Sequence, residues 1–351
     1  MAEYFIAWWN IENLFDIENS PFRSERVKKV LGDELKGWNN SILNKKIKQL
    51  TKVISNMNNS NGPDILGVCE VEGGPVINKL VNKIKEKINR DYKIVHEKVD
   101  DKRGIEVGFI YDNSKFKVNK DSKTGEDLVF SHHVLRQEAT RNILQVNFKI
   151  KSTNTDLILV GNHWPSRTMG EIETEPYRIA AADALSYFHR RIIEELGPDT
   201  CILAMGDFND MPFNRSLMDY AFSTPYKEQV EKSEDTLFFY NLMWTLISNG
   251  YATCYFGKEV PDPCIKKFTT YPNMLDQFMI SKAIALEKKL KIKQNSVRVI
   301  KKVGDVELFE TRYGYEIPKK FGRPTNCGNK GYINEDGFSD HFPISLVIEE
   351  K

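Results

Sequence analysis

Seven apolar, strand-like runs in this chain each carry a polar group at or just inside one end. They are Tyr4–Trp9 before Asn10, Ile65–Cys69 before Glu70, Val107–Tyr111 after Glu106, and Leu157–Asn162 before His163. The others are Cys201–Gly206 before Asp207, Gln277–Ile280 after Asp276, and Phe342–Ile348 after Asp340 and His341. One such pairing carries no information. Repeated along the chain, it predicts a sheet scaffold that holds polar groups at strand ends and in the loops beside them, where rigid elements position chemistry.

Helical patterns interleave with these runs. Ile42, Leu43, Ile47, Leu50, Ile54 and Met57 recur at three- and four-residue spacing, the period of one buried helix face. Pro75 opens a second stripe through Ile77, Leu80, Val81, Ile84 and Ile88, because proline suits a first helical turn. A third helix is predicted over Pro176–Leu196, stopped by Gly197 and Pro198, with shorter ones at 215–222 and 242–249. Helices between apolar strands imply an α/β layered fold, and the shorter, more alternating later strands imply that much of the sheet is antiparallel. Residues 112–128 and 165–175 read as loops, and 293–338 as a mixed segment along the rim of the site. No linker or composition break interrupts the 351 residues, so a single domain spanning 1–351 is expected.

Composition narrows the partners. The formal net charge is +1, too small for a protein that relies on electrostatic capture of nucleic acid. Polyanion binding must be local or assisted by a cation. The paired lysines are scattered and read as solvated surface. Five cysteines without a CxxC pair indicate neither a disulfide framework nor a zinc ribbon. No apolar run approaches the ~20 residues of a membrane helix, and no amino-terminal signal segment is visible. With no exposed hydrophobic hairpin or amphipathic segment evident, no stable membrane association is expected. A cytoplasmic monomer is the expectation.

The polar groups suggest a chemistry. Magnesium prefers oxygen ligands and needs only one or two carboxylates plus substrate phosphate; Glu70 and Asp340 stand at strand boundaries. Among six histidines, His163 and His341 end or open apolar strands, whereas His96 and His189 read as surface or rim and His132 and His133 as loop residues. A histidine can move a proton near neutral pH if a second group orients it, and Asp276 and Glu106 are candidates for that. In Gly206-Asp207-Phe208-Asn209, the glycine permits a tight turn, Asp207 can orient or deprotonate water, and Asn209 can donate to a phosphoryl oxygen. Phosphoryl transfer rests mainly on positioning and charge stabilisation, which such a set supplies.

Taken in order, Asn10, Glu70, His163, Asp207 with Asn209, Asp276 and Ser339-Asp340-His341 resemble the endonuclease/exonuclease/phosphatase superfamily across residues 4 to 348. The resemblance implies a four-layer α/β sandwich, with two face-to-face, mostly antiparallel or mixed sheets and outer helices. It implies phosphate-ester hydrolysis with Mg²⁺ or Mn²⁺. Glu70 would be the main metal ligand, with Asp340 and Asn10 near the ion. Asp207 would orient or deprotonate water and Asn209 hold water or phosphate. His341, paired with Asp276, would stabilise the phosphoryl charge or act as base. His163 resembles the deoxyribonuclease and sphingomyelinase branches, and Glu106 matches the acid that partners this histidine in the former. Asn10-Ile-Glu-Asn-Leu-Phe-Asp16, Arg103-Gly-Ile-Glu-Val107, Thr140-Arg-Asn-Ile-Leu144, Asn162-His-Trp-Pro-Ser-Arg167 and Met274-Leu-Asp-Gln277 are similar to bacterial members described mostly as nucleases. Arg141, Arg167 and Arg178 are candidate phosphate contacts, since a guanidinium fork suits phosphate. The expected activity is DNA phosphodiester hydrolysis of low sequence specificity, with a loop at 165–175 reaching a groove. The alternatives are a phosphatase or phosphodiesterase for small or lipid head-group phosphates and, remotely, an inactive binding module.

Overall fold

Two sheets packed face to face account for most of the apolar runs. The computed structural model describes residues 2–98, 103–136, 138–139, 141–234, 237–260, 267–312, 314–322 and 333–351. The first sheet contains β1 (Glu3–Leu14), β2 (Ile65–Val71), β3 (Tyr92–His96), β4 (Glu106–Asp112), β17 (Leu290–Ile292), β18 (Arg298–Val299) and β23 (Ile344–Glu350). Its order is β17-β23-β1-β2-β4-β3, with β18 also on β23. The second contains β5 (Phe116–Val118), β6 (Val129–His132), β9 (Ile143–Ile150), β10 (Asp156–His163), β11 (Ile202–Asp207), β12 (Ser223–Thr224), β13 (Phe239–Asn241) and β16 (Asp276–Ile280). Its order is β12-β13-β16-β11-β10-β9-β5, with β6 also on β9. Short antiparallel ladders complete the strands: β7–β8 (Leu135–Arg136, Glu138–Ala139), β14–β15 (Cys254–Val260, Lys267–Asn273), β19–β20 (Lys302–Val303, Val306–Glu307) and β21–β22 (Phe309–Arg312, Tyr315–Pro318).

Both sheets are mixed. β1 runs parallel to β2 and antiparallel to β23, while β10 runs parallel to β11 and antiparallel to β9. Side chains from the two inner faces interdigitate. Phe148 of β9 meets Phe109 and Tyr111 of β4 edge-on, with ring centroids 6.3 and 5.1 Å apart, the geometry aromatic quadrupoles favour. Gly67 lacks a side chain where one would overlap the Trp8 ring, which lets that indole lie between the sheets.

The helices form the outer layers. The stripe through Leu43, Ile47, Leu50 and Ile54 puts α2 (Asn40–Ser60) and, with Leu80 and Ile84, α3 (Gly74–Lys85) onto the first sheet. Ala181, Ala182, Leu185 and Ile192 of α4 (Glu171–Leu196) pack with Ile158, Val160, Ile202 and Ala204 of the second. The result is the four-layer α/β sandwich anticipated from the sequence. None of the helices among the described residues is long and apolar enough to cross a membrane.

Local expectations differ in instructive places. α4 begins at Glu171, inside the stretch read as a loop, and runs through Pro176. A proline there removes one helical hydrogen bond. Buried Arg178 ties the turn together instead, donating to Thr174 Oγ1 at 2.6 Å and the Glu171 carbonyl at 2.7 Å. The helix read at 215–222 is a single π-helical turn, Ser216–Tyr220, and that at 242–249 is α6 (Trp244–Ser248). β5 interrupts the loop expected at 112–128. His189 is buried rather than at a rim, stacked on Phe239 with centroids 3.9 Å apart.

Candidate active site

Sheet register assembles the polar strand ends. His163 pairs with Asp207 across β10 and β11, and Asp207 pairs with Asp276 across β11 and β16. Three residues that lie far apart in the chain therefore share one rung. Gly206 makes the approach possible, since a side chain there would overlap the Asn162 carbonyl. On the facing sheet, Asn10 pairs with Cys69, one residue before Glu70. The two edges are stitched together: Asn10 Nδ2 donates to Asp207 Oδ2 at 3.1 Å and Trp8 Nε1 to Asp276 Oδ1 at 3.1 Å.

His341 joins from the segment entering β23. Its Nδ1 lies 2.7 Å from Asp276 Oδ2. Its backbone N–H donates to Ser339 Oγ, which donates to the Asn10 carbonyl, and its carbonyl accepts from Trp9 Nε1. Burial opposes a charged imidazole here, but Asp276, Asp207 and Asp340 outweigh it and hold the His341 pKa well above its ordinary value. Asp207 is pushed up to about 6, mainly by burial, with His341 opposing and Asp276 adding to the rise. Its Oδ1 accepts the Asn209 N–H at 2.9 Å. A carboxylate poised near neutrality beside a proton-bearing imidazole is an acid–base pair.

Backbone strain marks the same place. Of eleven non-glycine residues with positive φ among the described residues, Glu12, Asn13, Glu70 and Asn209 lie in this cluster. Such conformations cost about 1–3 kcal/mol each and persist where surroundings over-determine them.

Several sequence-derived site residues stand elsewhere than expected. Glu106 holds His96, at 3.0 Å from Nδ1 to Oε2, and His163 Nδ1 is buried without a hydrogen-bond partner. β3 lies beside β4, so its terminal histidine reaches Glu106 first. His163 Nε2 instead lies 3.6 Å from Glu70 Oε1 and 3.8 Å from Asp207 Oδ2. Burial, then Arg141, Arg103 and His341, keep its pKa well below the ordinary value, so it is neutral.

The arginines are largely committed to protein partners. Arg178 is fully buried and lies 2.8 Å from Asp210 Oδ2. Arg167 binds Asp210 Oδ1 and Asn214 Oδ1, both at 2.8 Å, and the Asn209 carbonyl at 2.6 Å. These two clamp the loop after β11 and are not placed to meet phosphate. Arg141 donates to the Trp164 carbonyl at 2.7 Å. Asn209 Nδ2 also donates to that carbonyl, at 2.9 Å, so this donor faces the protein rather than a phosphoryl oxygen.

Two expectations about these residues can be checked directly. Arg178→Met should destabilise the fold by about 1–3 kcal/mol, because it removes one of the two arginines on buried Asp210 and the bonds that close the first turn of α4; thermal unfolding measures this. Wild-type stability with a large rise in KM would return Arg178 to phosphate binding. The Glu106 hydrogen bond, ahead of opposing burial, raises the His96 pKa. Its contribution to stability is therefore complete below the unfolded value and lost as pH rises through the folded one. NMR titration should show a His96 midpoint above 6.5 that falls in Glu106→Gln, with His163 uncharged in both. A Glu106→Gln effect confined to His163 would contradict this pairing.

Three residues escaped the sequence reading. Glu12 is buried and accepts the backbone N–H groups of Phe321 and Gly322 at 3.0 and 3.1 Å. Fully buried Lys46 of α2 lies 3.7 Å from Glu12 Oε2. Trp8 orients Asp276, and its signal was an indole inside a buried strand, where its N–H needs an acceptor.

The donor set suits a hard divalent cation. Burial, followed by Asp340 with Glu70 also contributing, pushes Glu12 up to about 7, while Lys46 opposes. Asp340 and Glu70 thus act on buried Glu12, and a cation beside Glu70 and Asp340 would offset that charge. Ligand atoms of Asp207, Asp276 and His341 also lie within 4.8 Å of one another. That trio is close enough to hold an ion, and the 2.7 Å contact between His341 and Asp276 suits it to proton chemistry as well.

The whole chain answers to one family. Residues 5–350 match the Endonuclease/Exonuclease/phosphatase family model, and the chain belongs to that family of metal-dependent phosphoesterases. Solved structures share the fold at low identity. An endonuclease/exonuclease/phosphatase family protein from Bacteroides thetaiotaomicron is 14% identical with a TM-score of 0.54, over 99% of this chain and 97% of that one. Truncated Caenorhabditis elegans TDP2 is 16% identical with a TM-score of 0.51, again over 99% and 97%. A Bacteroides thetaiotaomicron mannosyl-6-phosphatase is 16% identical with a TM-score of 0.52, over 99% of each chain. No curated protein sequence matches.

Proposed function

We propose that the chain is a divalent-metal-dependent phosphodiesterase that hydrolyses DNA with little sequence preference. The observation that carries this reading is the charge of the site. Arg167 and Arg178 are spent on Asp210, so beyond the His341–Asp276 pair and a bound cation the positive charge near the site is that of Arg141 and Arg103, which act on His163. That limited positive charge suits the single negative charge of a diester better than the double charge of a monoester. Low specificity follows because phosphate contacts carry no sequence information.

In this reading Asp207 orients the attacking water and accepts its proton, since its pKa is pushed up to about 6. His341, kept protonated by its acidic neighbours, donates to the phosphoryl oxygen as charge grows there. Asp276, fixed by Trp8 and His341, sets the imidazole's orientation. Neutral His163 donates one hydrogen bond from Nε2 toward substrate or Glu70. Glu70, Asp340 and Asn10 would hold Mg²⁺ or Mn²⁺, which would neutralise phosphate charge. Initial rates on oligonucleotide diesters and sugar-phosphate monoesters at equal Mn²⁺ test the reading. Faster phosphate release from the monoesters would overturn it in favour of a phosphatase.

A further inference from the structure

The sequence shows no exposed hydrophobic hairpin, yet the β14–β15 ladder presents two exposed aromatics beside the site. Phe256 and Tyr271 are 46% and 57% exposed and occupy directly opposed positions across the ladder. Opposed residues share a face, with Cβ atoms ~5 Å apart. Which face this is follows from Cys254. It forms a bridge with His341, and its buried thiol is pushed well up by burial, then by Asp276, Asp207 and Asp340. The Cys254 side therefore looks toward the reacting groups. Strand alternation puts Phe256, two residues on, on the same side and roughly 7 Å farther along. The opposite side is braced, since Tyr255 meets Tyr315 of β22 with centroids 6.1 Å apart.

We propose that Phe256 and Tyr271 form a stacking subsite for an unpaired nucleobase next to the scissile phosphate. This rests on the nuclease reading and deepens it to a preference for unpaired stretches of DNA, which negative supercoiling opens in a plasmid. A base inside a duplex has its faces covered by neighbouring bases, whereas an unpaired base exposes a ring face. Every base has such a face, so aromatic platforms bind strands without sequence preference. Stacking also supplies the affinity that a net charge of +1 does not.

The test uses the full chain in EDTA with a single-stranded oligonucleotide carrying 2-aminopurine, whose fluorescence falls on stacking. Wild type should quench it and bind duplex more weakly. Phe256→Ala and Tyr271→Ala should each weaken binding roughly tenfold, with a much smaller loss on an abasic oligonucleotide. Phe256→Trp should retain quenching, and Tyr226→Ala, at a 69% exposed tyrosine elsewhere, should match wild type. Absence of quenching in the wild type, or undiminished quenching in both alanine variants, overturns the proposal. Metal-dependent DNA cleavage without quenching refutes the subsite and leaves the nuclease reading intact. Quenching that depends on Phe256, with no diester cleaved under any metal, supports the subsite and refutes the nuclease reading.

Discussion

Replacing His341 with alanine should lower kcat by about a thousandfold or more while the protein remains folded. A general acid with electrostatic stabilisation of the transition state contributes on that order. The imidazole is 9% exposed, at the edge of the core, so its removal opens a small polar gap rather than an apolar cavity. The segment stays anchored through backbone groups, with the His341 N–H on Ser339 and its carbonyl on Trp9. The loss should fall on kcat more than KM, because the proposed donation strengthens as charge develops on the phosphoryl group. Single-turnover kinetics, with circular dichroism to verify folding, measure it. Near-normal turnover would remove His341 from the chemistry. Asp276→Asn should follow in the same direction, since the amide cannot replace the charge that keeps the imidazole protonated.

The second large effect concerns the cation. Glu70→Gln should raise the Mn²⁺ concentration for half-maximal cleavage ~100-fold or more, as even indirect supports of metal ligands cost 10–100-fold when removed. Glutamine retains an oxygen to accept the Asn13 N–H that now reaches Glu70 Oε2 at 3.0 Å, so the left-handed turn at residue 70 is preserved. The comparison thereby isolates charge from shape. Mn²⁺ titrations of cleavage, with direct binding followed by electron paramagnetic resonance, give the answer. An unchanged titration in Glu70→Gln, with Mn²⁺ binding abolished in His341→Ala, would move the ion to Asp207, Asp276 and His341.

Much of this site was legible because its parts obey a local rule. Buried strands read as apolar runs, so a polar residue at the end of one is conspicuous, and Asn10, His163, Asp207 and Asp276 were visible that way. What stayed hidden depends on contacts that no local rule encodes. Glu106 stands ten residues from His96 in sequence, and only the β3–β4 pairing decides that it serves that histidine rather than His163. Nothing local announces that Arg178 is fully buried, or that it carries α4 through Pro176. Lys46 lies in a lysine-rich helix, yet its end sits beneath the carboxylates. The aromatic face of β14–β15 was missed because Phe256 and Tyr271 become neighbours only when the ladder closes.

The most direct test of the whole account is incubation of the purified protein with supercoiled plasmid in Mg²⁺ or Mn²⁺, followed by EDTA and then restored metal. The account predicts conversion to nicked circles that EDTA abolishes, restored metal recovers and His341→Ala lacks. Intact plasmid in both metals, alongside metal-dependent phosphate release from small monoesters, would contradict it.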